Sequence, residues 1–110
     1  MDLNIVTMTG RLASEPELKM LTDDKRLCRS SLAVQRPKRA NKDAETDFFD
    51  LVAWQADADF LSKYFHKGDH IAINGAMRTS TYEKDGVKRT RYEINVDKIA
   101  FVGARKAQTE

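Results

Sequence analysis

A mostly β fold with one short helix, in the order strand, strand, strand, helix, strand, strand, is what this sequence predicts. Three observations lead there. Apolar and polar residues alternate through three runs in the first half. The period changes once, to a helical one, in "ADADFLSKYFHKGD" (56–69). A strong two-residue turn, Asp85-Gly86, then divides a long alternating stretch near the end. Five strands with a helix between the third and fourth is the order of the OB-fold, a five-stranded Greek-key barrel. A mixed α+β sandwich is the competing architecture.

The first strand is "NIVTMTGRL" (Asn4 to Leu12), rich in β-branched residues, with Gly10 read as a bulge or sharp bend. Pro16 breaks the run and "LKML" resumes it briefly. The second strand, "LCRSSLAVQ", puts Cys28, Leu32 and Val34 on one face and Arg29, Ser31 and Gln35 on the other. "RPKRANKDAE" follows as a long loop without apolar periodicity. The third strand, "TDFFDLVAW" (Thr46 to Trp54), turns Phe49, Leu51 and Ala53 toward the core. It turns Phe48, Asp50, Val52 and Trp54 the other way. In the helix, Ala58, Leu61, Tyr64 and Phe65 share a face. Asp57 and Asp59 suit its N-terminal end, Lys63, His66 and Lys67 its C-terminal end, and Gly68 its stop.

The last two strands allow a register to be worked out. With Asp85-Gly86 as the loop, Lys84 faces Val87, Tyr82 faces Arg89, Ser80 faces Arg91 and Arg78 faces Glu93. One face of the hairpin then carries Arg78, Tyr82, Arg89 and Arg91. Met77–Ile94 and Thr79–Tyr92 lie on the other. Ile99 and Phe101 change parity, which predicts a bulge near Asp97 and Lys98.

At 110 residues the chain is expected to be one domain, residues 1–103, with a short disordered tail at 104–110. Its single cysteine excludes an internal disulfide, and Cys28 is expected to be a buried, reduced thiol. No basic leader or membrane-length apolar run is present, so a cytoplasmic protein is expected, with no membrane partner. Net charge is only +2, but the charges are segregated. "RPKRANK" holds Arg36, Lys38, Arg39 and Lys42 without an acid, and "KRTR" holds Lys88, Arg89 and Arg91.

Rings interleaved with cations are what single-stranded nucleic acid requires. Exposed bases stack on aromatics, and phosphates follow the cations. The candidate binding residues are Phe48, Trp54 and Tyr82, with Arg36, Lys38, Arg39, Arg78, Lys88, Arg89 and Arg91. Each has a plainer reading: Phe48 and Trp54 as core or subunit interface, the basic loop as a solvated surface, Arg78 as the partner of Glu93. No nucleophile motif, paired carboxylates or glycine-rich phosphate loop stands out, so no enzyme activity is expected. No cofactor is implied. His66 and His70 do not share a helical face and lack further ligands, so no metal site is expected.

Six blocks carry a resemblance: "GRLASEPELK", "SLAVQRP", "TDFFDLVAW", "LSKYFHKGD", "INGAMRTSTYEKDGVKRTRYE" and "VDKIAF". Together, from about Leu3 to Val102, they resemble the bacterial-type single-stranded DNA-binding (SSB) proteins. The resemblance implies an OB-fold that binds single-stranded DNA without strong sequence preference in replication, recombination and repair. It also implies a homotetramer, a pair of dimers, associated with the nucleoid. By position, the family's stacking aromatics fall on Phe48, Trp54 and Tyr82. A further stacking aromatic that some members carry in the basic loop is replaced here by Lys38. Many members continue into a flexible linker with an acidic tip that recruits replication enzymes. This sequence stops at "GARKAQTE", either as a naturally short form or without the tail, so recruitment through a tip is not expected. Two alternatives stand beside this: a dimeric primosome-type accessory protein of the same fold acting through protein partners, and a substrate-binding module of an enzyme.

Overall fold

The computed structural model describes residues 1–38, 40 and 43–103. The elements are β1 (Val6–Leu12), β2 (Glu17–Met20), β3 (Arg26–Gln35), β4 (Thr46–Trp54), α1 (Ala56–Tyr64), β5 (His70–Lys84) and β6 (Val87–Phe101). Hydrogen-bonded neighbours run β1-β5-β6-β4-β3-β2, and a further β1–β3 pairing closes the sheet on itself. Five strands therefore form the barrel of an OB-fold, and β2 is appended to the outside of β3. The brief "LKML" run is thus a strand in its own right. It pairs with β3 alone, from Glu17↔Arg29 to Met20↔Arg26, so the helix follows the fourth strand of the chain.

The register worked out from Asp85-Gly86 holds from Lys84↔Val87 through Tyr82↔Arg89, Ser80↔Arg91 and Arg78↔Glu93 to Met77↔Ile94. Asp85 and Gly86 both have positive φ, 55° and 77°, the backbone of a type I′ turn whose twist matches the strands it joins. The predicted bulge is present. Asn74 pairs with Lys98 and Gly75 with Val96, leaving Asp97 as the extra residue.

Alternation fills the interior. Leu12, Leu32, Leu51, Ile71, Ile73, Ile94 and Val96 are buried, each from the inward parity of its strand. The helix closes one end of the barrel with Ala58 and Leu61, followed by Phe65, whose ring stacks on Phe101 at 4.5 Å. Cys28 lies in this core, and burial pushes its thiol up to about 11, so it stays protonated and unreactive at neutral pH.

Several sequence expectations need correction. Asn4 is not in β1. Its side chain stands in for a strand residue, donating from Nδ2 to the Met77 carbonyl (2.8 Å) and accepting at Oδ1 from the Met77 N–H (3.0 Å). Gly10 makes no bulge. It pairs in step with Ile71, and it is glycine because a Cβ there would collide with the Ala33 carbonyl oxygen where β1 crosses to β3. Tyr64 is not on the buried helix face. It is 41 % exposed and packs on Phe60, ring centroids 5.3 Å apart. The helix ends before Gly68, because Phe65 already takes up extended geometry (φ −118°, ψ 145°). Val52, assigned to the outward face, is only 3 % exposed, since neighbours on that face cover it. The expected tail, 104–110, lies outside the described residues.

Candidate nucleic acid interface

The outward parities of four strands meet on one side of the barrel. From β3 to β4, Ala33 faces Phe48, Ser31 faces Asp50, Arg29 faces Val52 and Leu27 faces Trp54. Val52 then adjoins Asn95 of β6, and the hairpin continues the face with Glu93 beside Arg78, Arg91 beside Ser80 and Arg89 beside Tyr82. Phe48 is 67 % exposed, Trp54 37 % and Tyr82 37 %, and none belongs to the core cluster. The sequence-derived rings therefore share one surface. Arg78, Arg89 and Arg91 share it with them.

Local features set the rings in place. Gln55, directly after Trp54, has φ 56° and ψ −124°, which turns the chain sharply from β4 into the helix. Its side chain leaves the helix end uncapped and holds the β2–β3 turn, donating to the Asp24 carbonyl (2.6 Å) and accepting from the Arg26 N–H (2.8 Å). Arg26 in turn donates from Nε and Nη2 to both carboxylate oxygens of Asp59 on the helix (2.7 and 2.6 Å). The strand end that carries Trp54 is thus tied to a turn and to the helix. At the other end of the face, the Arg91 guanidinium lies over the Tyr82 ring, 4.8 Å from its centroid. Arg91 occupies one face of that ring.

A carboxylate lies in the floor between them. Glu93 is only 8 % exposed and accepts from Arg29 Nε (2.6 Å) and Nη2 (3.4 Å). The hydrogen bond from Glu93 raises the Arg29 guanidinium above its ordinary pKa, with the charges of Glu93 and then Asp50 adding to it. This pair separates two hollows. One, about 650 Å3, has Trp54, Val52 and Arg78 in its wall; the other, about 470 Å3, has Asp50 and Arg91. Arg78 is not the partner of Glu93. Asp50 is exposed and, among the described residues, makes no ion pair; it acts on Arg29 through its field.

The basic loop is placed differently. Arg36 is bound by its own chain, donating to both oxygens of Asp47 (2.9 Å each) and to Glu45 (2.7 Å). These bonds hold the Asp47 carboxyl below the usual carboxylate range. Lys38 is exposed, and Arg39 lies outside the described residues. Lys88 faces Glu83 at the tip of the hairpin, on the parity opposite to Tyr82 and Arg89, and is not brought to the ring face. Arg29, Glu93 and Asn95 were not among the sequence-derived candidates, although the parity of "LCRSSLAVQ" already turned Arg29 outward.

Among the described residues no group of three or more His, Cys, Asp or Glu side chains is arranged to hold a metal ion. No helix is long and apolar enough to cross a membrane.

The model of the Single-strand binding protein family matches residues 3–102, nearly the whole chain. The chain belongs to that family. Among similar proteins, the single-stranded DNA-binding protein of Fusobacterium nucleatum is 38 % identical, over 94 % of this chain and 69 % of its own length. That of Treponema pallidum is 34 % identical, over 94 % of this chain and 60 % of its own. Single-stranded DNA-binding protein 2 of Streptococcus agalactiae is 43 % identical, over 89 % and 74 %. A solved structure, described as the Plasmodium falciparum SSB complex with ssDNA, superposes with a TM-score of 0.82 at 23 % identity. It covers 94 % of this chain and 97 % of that one, so the two share a fold. This SSB-family chain thus spans between 60 % and 74 % of the three relatives named.

Proposed function

We propose that this SSB-family chain binds and protects single-stranded DNA during replication, recombination and repair, without chemistry of its own. The observation that supports this best is the shared face of Phe48, Trp54 and Tyr82 with three arginines set among them. Stacking on exposed rings accepts any base, which gives affinity without strong sequence preference. A duplex hides its base faces and offers this surface only phosphates. The printed functions of the relatives agree with this reading. Titration with oligo-dT and with a duplex at fixed salt tests it. Tight binding of dT and much weaker binding of duplex are expected; equal affinities overturn the proposal.

The family member is further proposed to act as a homotetramer built from dimers. Supporting this, β1 bonds β5 along one edge from Val6 to Arg11, while only Arg11 and Leu12 of its other edge are paired, to β3. Leu3 and Ile5, just before it, are exposed apolar residues. An open edge beside apolar side chains suits pairing with a second copy. Sedimentation mass decides it, with four chains expected and a dimer favouring the accessory-protein alternative.

A further inference from the structure

We propose that the hollow beside Trp54 is a nucleobase subsite, in which Arg78 reads a base that presents two neighbouring acceptors. This rests on the single-strand-binding reading above and goes beyond it, since ring stacking alone reads no sequence.

The hollow has the make-up of a site for a flat, mostly neutral group. Trp54 stands at one end, and the floor is apolar, formed by Val52 and Leu27, both nearly fully buried. Its volume of about 650 Å3 falls within the span of small-molecule sites. Polar groups sit on the far wall, on β5 and β6: Arg78, Ser80 and Asn95.

Charge decides between a base and a phosphate. Two guanidinium groups line the hollow, but Arg29 is already held through two of its nitrogens by Glu93. The carboxylate of that pair faces the same hollow and repels a phosphate. Arg78 is different. Among the described residues its side chain makes no ion pair or hydrogen bond, so its fork of N–H donors is uncommitted. A guanidinium fork recognises two acceptors side by side. Guanine offers O6 and N7 in that arrangement, and cytosine offers O2 and N3. Adenine and thymine place a donor beside each acceptor. Asn95 donates from Nδ2 to Asp97 (3.5 Å), which leaves its carbonyl oxygen to accept from an exocyclic amine of the bound base. Guanine and cytosine each have one.

The test uses dT octamers carrying one central dG, dC or dA, titrated through Trp54 fluorescence at several salt concentrations. Wild type, Arg78→Gln and Arg78→Lys are compared after thermal melts show that each is folded. The dG and dC oligomers are expected to bind about five-fold or more tighter than dT and dA, the low end for a bidentate contact. In both variants that ratio falls to about one, because lysine keeps the charge and loses the fork. Wild type that binds all four oligomers tightly and equally overturns the subsite and leaves the proposed function standing. So does a preference that survives in Arg78→Gln. Equal weakening of every oligomer with a shallower salt dependence makes Arg78 a phosphate contact and also overturns it. Failure to bind any octamer removes the single-strand-binding reading itself.

Discussion

Truncating Tyr82 to alanine separates binding from folding on this face. Tyr82 lies in the exposed arm of the β5–β6 hairpin, opposite Arg89, and its ring is 37 % exposed. Its folded-state contacts are modest. A cross-strand pair contributes about 0.2–1 kcal/mol and an exposed cation–π contact with Arg91 about 0.5–1 kcal/mol. The barrel core does not include it. The expected loss of stability is therefore about 1 kcal/mol. For binding, Arg91 covers one face of the ring, so one face is left for one base. Base–aromatic stacking measured by alanine substitution is about 1–3 kcal/mol per base, and a single available face places Tyr82 at about 1–2 kcal/mol. That is an increase in Kd of roughly 5- to 30-fold. The assay is an oligo-dT titration read through Trp54, run beside a thermal melt, with Tyr82→Phe as a control that keeps the ring. An unchanged Kd for Tyr82→Ala, or an equal loss in Tyr82→Phe, refutes the stacking assignment.

Trp54 is the only tryptophan, so its fluorescence should be quenched on saturation with oligo-dT; an unchanged signal removes it from the interface. Glu93→Ala leaves Arg29 unpartnered on a half-covered face. Scaled between exposed and buried ion pairs, the cost is about 1–3 kcal/mol, read as a lower urea midpoint, whereas a neutral effect means water replaces Glu93 fully. Gly10→Ala forces β1 and β3 apart and should cost about 1–3 kcal/mol by the same measurement; wild-type stability would show that the crossing yields freely. Asp59 and Asp47 are held below the usual carboxylate range by their hydrogen bonds to Arg26 and Arg36. Their stabilisation is present above the ordinary value near pH 4 and is lost as pH falls through the lowered folded-state values. The melting temperature should therefore decline below about pH 4, and less steeply in Asp59→Asn; an identical acid limb in that variant would exclude Asp59.

How much the sequence reveals depends on the length of each connection. Asp85-Gly86 leaves one way to fold back, so every pair from Lys84↔Val87 to Met77↔Ile94 follows from counting, and Tyr82 falls beside its arginines. Between β3 and β4 some ten residues intervene, and counting across them fixes nothing. Parity turned both Arg29 and Val52 outward, but their being neighbours appears only in the folded register. The Arg29–Glu93 pair is hidden for the same reason, its members being 64 positions apart. Gly10 misled because its partner in space, Ala33, lies on a strand that β1 meets only at barrel closure. Arg36 looked free because a run of cations says nothing about Glu45 and Asp47 folding back onto it.

The short parallel contact between β4 and β6 has a further consequence. Only Leu51↔Ile94 and Val52↔Asn95 join these strands, whereas β3–β4 is bonded from Leu27 to Gln35 and β5–β6 along the whole hairpin. Two well-bonded halves are thus hinged at a narrow seam, and that seam runs beneath the ring face, with Trp54 and Phe48 on one side and Tyr82 on the other. The spacing between the rings is the coordinate the seam leaves loosest. A strand laid across both halves bridges them, so its binding should slow amide hydrogen exchange at Val52 and Asn95 more than in the middle of either half.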